Sequence, residues 1–244
     1  METKLINIEI VSIYKKDDKV VNLPERMAKC TPDMHYAIQS IAKELEVQGG
    51  ALILSDLFRS YDMQLQAHND YVAGKKKAYS PPPGGSFHES GRAFDLSLSD
   101  IKIPLSEFWE IAAKYGINPI IDKPNSRAKE AWHFDCRGSH QIVYDYYKSK
   151  KGTNYKPYTA SAISAILAVR IKVDFYKTRN KQAYIQSALI RLGKNIGNID
   201  GLIGNKTKCA LKELDIDFTC NSIDYIIDSI DNLLIEKFPN EFML

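Results

Sequence analysis

Five residues in the first 135 could do chemistry together. His88 and Asp95 stand seven positions apart in SFHESGRAFDL (86–96), and His133 stands three after Glu130 in EAWHFD (130–135). Two imidazoles and one carboxylate form the ligand set of a catalytic Zn²⁺ that keeps its fourth position open to water. A loop histidine and a strand aspartate can converge on one point if the chain turns at Gly91. Glu130 lies close to a ligand without needing to be one, which suits a base that takes the proton of a metal-activated water. A cation must then balance the oxyanion that forms, and Arg59, which follows the apolar run ALILSDLF (51–58), is the candidate.

Taken singly, these residues also fit plainer roles. His88 follows Gly84, Gly85 and Ser86 and could sit in a solvated loop, and His133 between Trp132 and Phe134 could be a hydrogen-bonded core histidine. His35, His68 and His140 are assigned to that plainer class. Glu89 and Arg92 read as surface residues flanking the motif. Gly91 and Ala93 carry more weight, because small residues there let the loop return Asp95 towards the metal.

The elements that must position these residues follow from periodicity. Met34, Ala37, Ile38, Ile41, Ala42 and Leu45 recur at helical spacing over 33–47. Residues 51–58 read as a buried strand and 61–74 as a helix ended by Gly74. GRAFDLSL alternates as a strand, with Ala93, Asp95 and Ser97 on one side; 104–115 reads as a helix capped by Gly116. AWHFDC (131–136) is a short strand that turns Trp132 and Phe134 away from His133 and Asp135. After KSKKGTNYKPYT (148–159) the segments 160–178, 181–192, 206–214 and 222–236 all read as helices, with turns around Gly197 and Gly201–Gly204. The fold class expected is an α+β domain with a small antiparallel sheet holding the zinc site, followed by a small all-α domain. The boundaries are 1–150, a linker at 151–159, and 160–244.

The order of motifs FRSYxxQ, SxHxxGxAxDL and ExWHxD, from Arg59 to Asp135, resembles the zinc D-alanyl-D-alanine carboxypeptidases and L-alanyl-D-glutamate endopeptidases. That family shares its fold with lysostaphin-type peptidases and the hedgehog signalling domain. The resemblance implies one Zn²⁺ on His88, Asp95 and His133, Glu130 as catalytic base and Arg59 as the residue that stabilises the transition state. It also places Ser86 and Gln64 near the substrate, and it implies action on bacterial peptidoglycan stem peptides. KKKAYSPPPGGS (75–86) departs from the usual composition, being basic and proline-rich, and is expected to form a pocket wall. The end of the pocket is expected to be closed by loops such as 75–85 and 122–129.

A second resemblance covers about thirty residues. IQxxLxxLG…DGxxGxxTxxAL, within 185–214, is similar to the three-helix peptidoglycan-binding domain found beside many wall hydrolases. The charge distribution agrees with an anionic partner: residues 151–212 hold 12 Lys and Arg against two acids, while 213–244 hold one base against eight acids.

Composition excludes other classes. Hydrophobic residues make up 44% and charged residues 26%, as in a globular protein rather than a disordered or fibrous one. No apolar run approaches the roughly 20 residues needed to span a bilayer, and the N-terminal stretch lacks the order of a secretory signal. The four cysteines, Cys30, Cys136, Cys209 and Cys220, form no CxxC pair and are expected as free thiols. No aromatic-interleaved basic motif of the RNA-binding kind is present. The expectation is a monomeric zinc peptidase anchored to peptidoglycan, made in the cytoplasm and delivered to the wall as a phage-type lysin or an effector. The alternatives are a cytoplasmic D-Ala-D-Ala peptidase and a non-catalytic wall-binding protein that keeps the zinc fold; Glu130 speaks against the latter.

Overall fold

The computed structural model describes residues 2–219 and 222–243, so Cys220 lies outside the described residues. Cys30, Cys136 and Cys209 are free. Among the described residues the strands are β1 (Ile6–Asn7), β2 (Val11–Lys16), β3 (Lys19–Asn22), β4 (Lys29–Cys30), β5 (Leu54–Asp56), β6 (Ala93–Leu96), β7 (Ile117–Pro119) and β8 (His133–Cys136). β1 and β4 pair with each other, and the rest form one sheet in the order β3-β2-β5-β6-β8-β7. Its neighbours are antiparallel except for β2 and β5, which run parallel. The β2–β3 hairpin, unread in the sequence, turns through Asp17 and Asp18 at φ 51° and 61°. Two successive left-handed residues are what a two-residue hairpin with the right twist requires, and aspartate tolerates that conformation.

Period-two alternation gives the central strands two different faces. On one face Phe94 stacks on Phe134 with ring centres 5.8 Å apart, and Phe108 meets Phe134 edge-on at 5.0 Å. That face is covered by α1 (Pro32–Val47), which buries Met34, Ile38, Ile41 and Leu45, and by α3 (Leu105–Lys114), which buries Phe108 and Ile111. The opposite face carries Asp95, His133 and Asp135. α2 (Tyr61–Val72) begins where the Ser60 hydroxyl accepts from Met63 N at 3.4 Å.

The connection into β6 is a single 3₁₀ turn, Phe87–Ser90. The Ser86 hydroxyl accepts from His88 N, and the Glu89 carboxylate accepts from Ser86 N, a reciprocal cap. Gly91 then reverses the chain at φ 66°, and a Cβ there would lie 2.8 Å from Cys30 Cα. Both backbone conformation and space therefore require glycine.

Two sequence expectations fail at this motif: Glu89 and Arg92 are not surface residues. They are 3% and 1% exposed. Glu89 is held inside because it accepts from Gly84 N at 2.9 Å and from Ser86 N at 3.2 Å. Arg92 is held by carboxylates on segments far away in sequence.

The rest of the chain is helical: α4 (His140–Lys148), α5 (Pro157–Ala168), α6 (Asn180–Arg191), α7 (Asn205–Lys212) and α8 (Ile223–Lys237). α5 is shorter than the helix expected over 160–178 and is followed by a 3₁₀ segment, Asp174–Arg179. α4 was not foreseen. Its Val143, Tyr146 and Tyr147 belong to the same buried cluster as Ile163, Leu189 and Ile230. The stretch read as a linker is fastened to this unit, since Thr153 N donates to Asn198 Oδ1 at 2.8 Å and Asn154 Nδ2 to Ile199 O at 2.9 Å. A smaller cluster, Phe87 and Ala93 with Ala162 and Ala165 of α5, packs the helical unit directly against the 3₁₀ turn and β6.

A buried charged network closes the contact between the two units. Arg92 NH1 donates to Asp33 Oδ2 at 2.7 Å, and Arg92 NH2 lies 3.6 Å from Glu241 Oε1. Glu241 also accepts from Arg191 NH2 at 2.6 Å and from Ser139 N at 2.6 Å. Arg191 is fully buried and Glu241 is 4% exposed. Removing one member of such a network strands the others without water, at a cost of about 3–5 kcal/mol. Glu241→Ala is therefore expected to lower unfolding stability by about that amount, measured by urea denaturation. A loss below about 1 kcal/mol would show that the network contributes little.

Candidate metal centre and active site

The β6–β8 register places Asp95 directly opposite His133 and Ala93 opposite Asp135. Asp95 and His133 thus project from neighbouring strands on the same face, and the turn ending at Gly91 delivers His88 beside them. Asp95 Oδ1 lies 2.9 Å from His133 Nδ1 and 3.4 Å from His88 Nε2, and the two nitrogens are 3.3 Å apart. One ligand atom from each residue falls within 4.8 Å of the others.

The remaining ring nitrogens fix which atoms face inwards. His88 Nδ1 donates to Leu57 O at 2.8 Å, leaving the Nε2 lone pair directed at the cluster. His133 Nε2 donates to Asp135 Oδ1 at 2.9 Å, leaving Nδ1 in the same position. Two imidazole lone pairs and a carboxylate oxygen converging this closely repel one another unless a proton or a metal ion lies among them. Zinc–nitrogen bonds of about 2.0–2.1 Å in a tetrahedron put neighbouring ligand atoms about 3.3 Å apart. Two of the three separations match that spacing, and the donor set fits zinc.

Charge in the protein follows the same arrangement. Burial opposes ionisation of Asp95, but His88 and His133 outweigh it and hold the carboxyl well below its usual range. Burial likewise opposes charge on His133, yet Asp135 and Asp95 push the imidazole up to about 10. Without a metal, that balance favours a proton on Nδ1, shared with Asp95 Oδ1 at 2.9 Å, in the place the ion would take.

Glu130 stands at the edge of this cluster. It adopts φ 65°, unusual for a residue with a side chain, and its main-chain carbonyl accepts from His133 N at 3.0 Å. Its Oε1 is buried and has no hydrogen-bond partner. Burial raises its pKa, with His133 acting against that shift. A carboxylate with an unused oxygen and a raised pKa, sharing a cavity with the ligand atoms, suits proton transfer.

The structure brings Arg59 to the site and occupies it fully. Nε donates to Asp56 Oδ2 at 2.6 Å, NH2 to Asp95 Oδ2 at 3.4 Å and NH1 to Gln64 Oε1 at 3.2 Å. Gln64 is fully buried, donates to Pro81 O at 2.6 Å and is not among the cavity-lining residues. Ser86 does line the cavity, with its hydroxyl engaged by His88 N.

The cavity has a volume of about 610 Å³. The basic, proline-rich stretch contributes Lys76, Tyr79 and Pro81 to its wall, as the sequence suggested; 122–129 contributes no lining residue, although Ile120 and Glu130 on either side do. His35, His68 and His140 stay away from the cluster. His140 is buried, lies 2.9 Å from Ser164 Oγ, and is held well below its usual pKa by burial, with Arg191 adding to the effect. Sequence reasoning missed Asp56, Asp135 and Tyr158. The i, i+2 spacing of His133 and Asp135 was the available signal for the second of these, and no pattern announces Tyr158.

His88, Asp95 and His133, with their converging ligand atoms beside the unpartnered Glu130 Oε1, form a candidate metal site. Residues 27–139 match the VanY family, described as D-alanyl-D-alanine carboxypeptidase, and this segment is a VanY-family domain. The match covers a little under half of the chain, which thus carries a domain of the D-alanyl-D-alanine carboxypeptidase family. No curated protein sequence matches the chain significantly. Similar solved structures include LdcB, an LD-carboxypeptidase studied for peptidoglycan recognition. It is 20% identical over 54% of this chain and 67% of its own, with a TM-score of 0.41. A variant of the vancomycin-resistance D,D-pentapeptidase VanY, solved with Zn(II), is 17% identical over 47% of this chain and 78% of its own, with a TM-score of 0.36.

Since metal must displace the proton on His133, zinc binding at pH 7 is expected to release about one proton per site. Calorimetric titration in two buffers of different ionisation enthalpy measures this. Zinc binding with no proton release would contradict the charge state described for His133.

Proposed function

We propose that the protein is a zinc peptidase that cuts peptidoglycan stem peptides, with His88, Asp95 and His133 as the ligands. The observation that supports this most is the unpartnered Glu130 Oε1, buried in the same cavity as the three converging ligand atoms. Bound zinc would supply Lewis acidity, bringing a water's pKa to about 7. Glu130 takes the proton of the attacking water and passes it to the leaving amine. Arg59 holds Asp95 in place through Oδ2 and sets positive charge beside the reacting centre. Ser86 and the 75–85 wall border the substrate.

The helical unit is proposed as the wall-binding part. Its Gly-rich turn is ordered by Gln186, whose Oε1 accepts from Asp200 N at 2.9 Å and Gly201 N at 2.7 Å. That ordering and the Lys-rich composition support a built recognition surface. A catalytic domain paired with wall recognition accords with an endolysin role. Charge reversal at Lys206, Lys208 and Lys212 is expected to reduce co-sedimentation with purified cell walls. Unchanged pelleting would remove the wall-binding reading of that face.

Glu130→Gln is expected to retain one zinc per chain and lose about 10²–10⁴-fold in kcat on purified peptidoglycan. Mass spectrometry of the products identifies the bond: released D-Ala marks a carboxypeptidase, and a new N-terminal D-Glu marks an L-Ala-D-Glu endopeptidase. Neither product from the zinc-loaded wild-type protein, or full activity in metal-replete Glu130→Gln, would sink the proposed mechanism.

A further inference from the structure

Tyr158 lies in the first turn of α5, directly after Pro157, yet it lines the same cavity as the three ligand residues. Its hydroxyl donates to Asp135 Oδ1 at 3.2 Å. That oxygen also accepts from His133 Nε2, while Asp135 Oδ2 lies 3.4 Å from Arg137 Nε and NH2. Asp135 is fully buried, so the donors that satisfy its charge must come from the protein itself. Tyr158 is one of three side chains that supply them, and it is the one that comes from the helical unit.

The ring of Tyr158 is fixed independently of its hydroxyl. It meets Phe87 edge-on with centres 5.5 Å apart, and the Arg137 guanidinium lies 5.7 Å from the ring centre. Burial and the Asp135 charge push the phenol pKa well above its ordinary value, which keeps the hydroxyl a donor.

We propose that Tyr158 is a positioning residue of the metal centre: its hydroxyl steadies Asp135, which holds His133 in the tautomer and orientation that direct Nδ1 at the ion. This rests on the zinc-peptidase reading, and it makes the helical unit part of the metal site. A hydroxyl acting only through Asp135 leaves a signature that simple packing does not. Tyr158→Phe keeps the ring contacts and removes one donor.

The full-length wild-type and variant chains are compared by zinc competition against a chromogenic chelator, alongside thermal melting of the metal-free proteins. Tyr158→Phe is expected to lower zinc affinity about 3–10-fold, less than the 10–100-fold usual for losing the direct partner of a ligand histidine, because Asp135 still holds His133. Metal-free melting should fall by no more than the few degrees that losing one buried hydrogen bond costs. In an Asp135→Ala background, which is itself weakened, adding Tyr158→Phe should change affinity by less than about twofold. Wild-type affinity in Tyr158→Phe, or an equal loss in both backgrounds, would overturn the proposal. If the wild-type chain itself bound no zinc, the zinc-peptidase reading would fall first, and this inference with it.

Discussion

The pairing of β6 with β8 is the constraint on which the rest of the site depends. Side chains alternate along a strand, so a slip of one residue would carry His133 and Asp135 to the helix-covered face and bring Phe134 into the cavity. The aromatic stack of Phe94 on Phe134, with Phe108 against it, makes such a slip costly, because it would pull large rings out of a packed core. Hydrophobic packing on one face therefore holds the polar geometry on the other. The candidate metal ligands are placed by a core that they do not themselves build.

Around that pair the site is layered outwards by hydrogen bonds, each fixing one degree of freedom. Leu57 O orients His88, Asp135 orients His133, and Arg59 orients Asp95. Asp56 and Gln64 in turn fix Arg59, and Gln64 ties that side chain to the proline-rich wall through Pro81 O. Glu130 is the exception, held in a left-handed backbone conformation with a carboxylate oxygen left unused. An oxygen without a permanent partner suits the proton-exchanging role proposed for Glu130.

Much of this was legible in the sequence because the information is local. His88, Asp95 and His133 stand in short motifs whose residue types announce metal chemistry, and α1, α2, α3 and the central strands follow from periodicity. What escaped depends on partners distant along the chain. Glu89 and Arg92 look like solvent-facing charges in SFHESGRAFDL, and no local pattern shows that Gly84, Asp33 and Glu241 close over them. α4 was not foreseen, and its residues were counted with the first domain, because the partners of Tyr146 and Tyr147 lie 49 and 52 positions later. Tyr158 is invisible for the same reason: its significance lies in Asp135, 23 positions earlier.

The Arg92–Glu241 network has a consequence for how the chain reaches its final form. Ser139 and Glu241 are 102 positions apart, and Asp33 and Arg92 are 59 apart. The entropy of closing loops of that length must be spent before these contacts return anything. Chain topology thus places the network late in folding, after the sheet and the helical unit have each begun to collapse. Until then two arginines and two carboxylates remain hydrated.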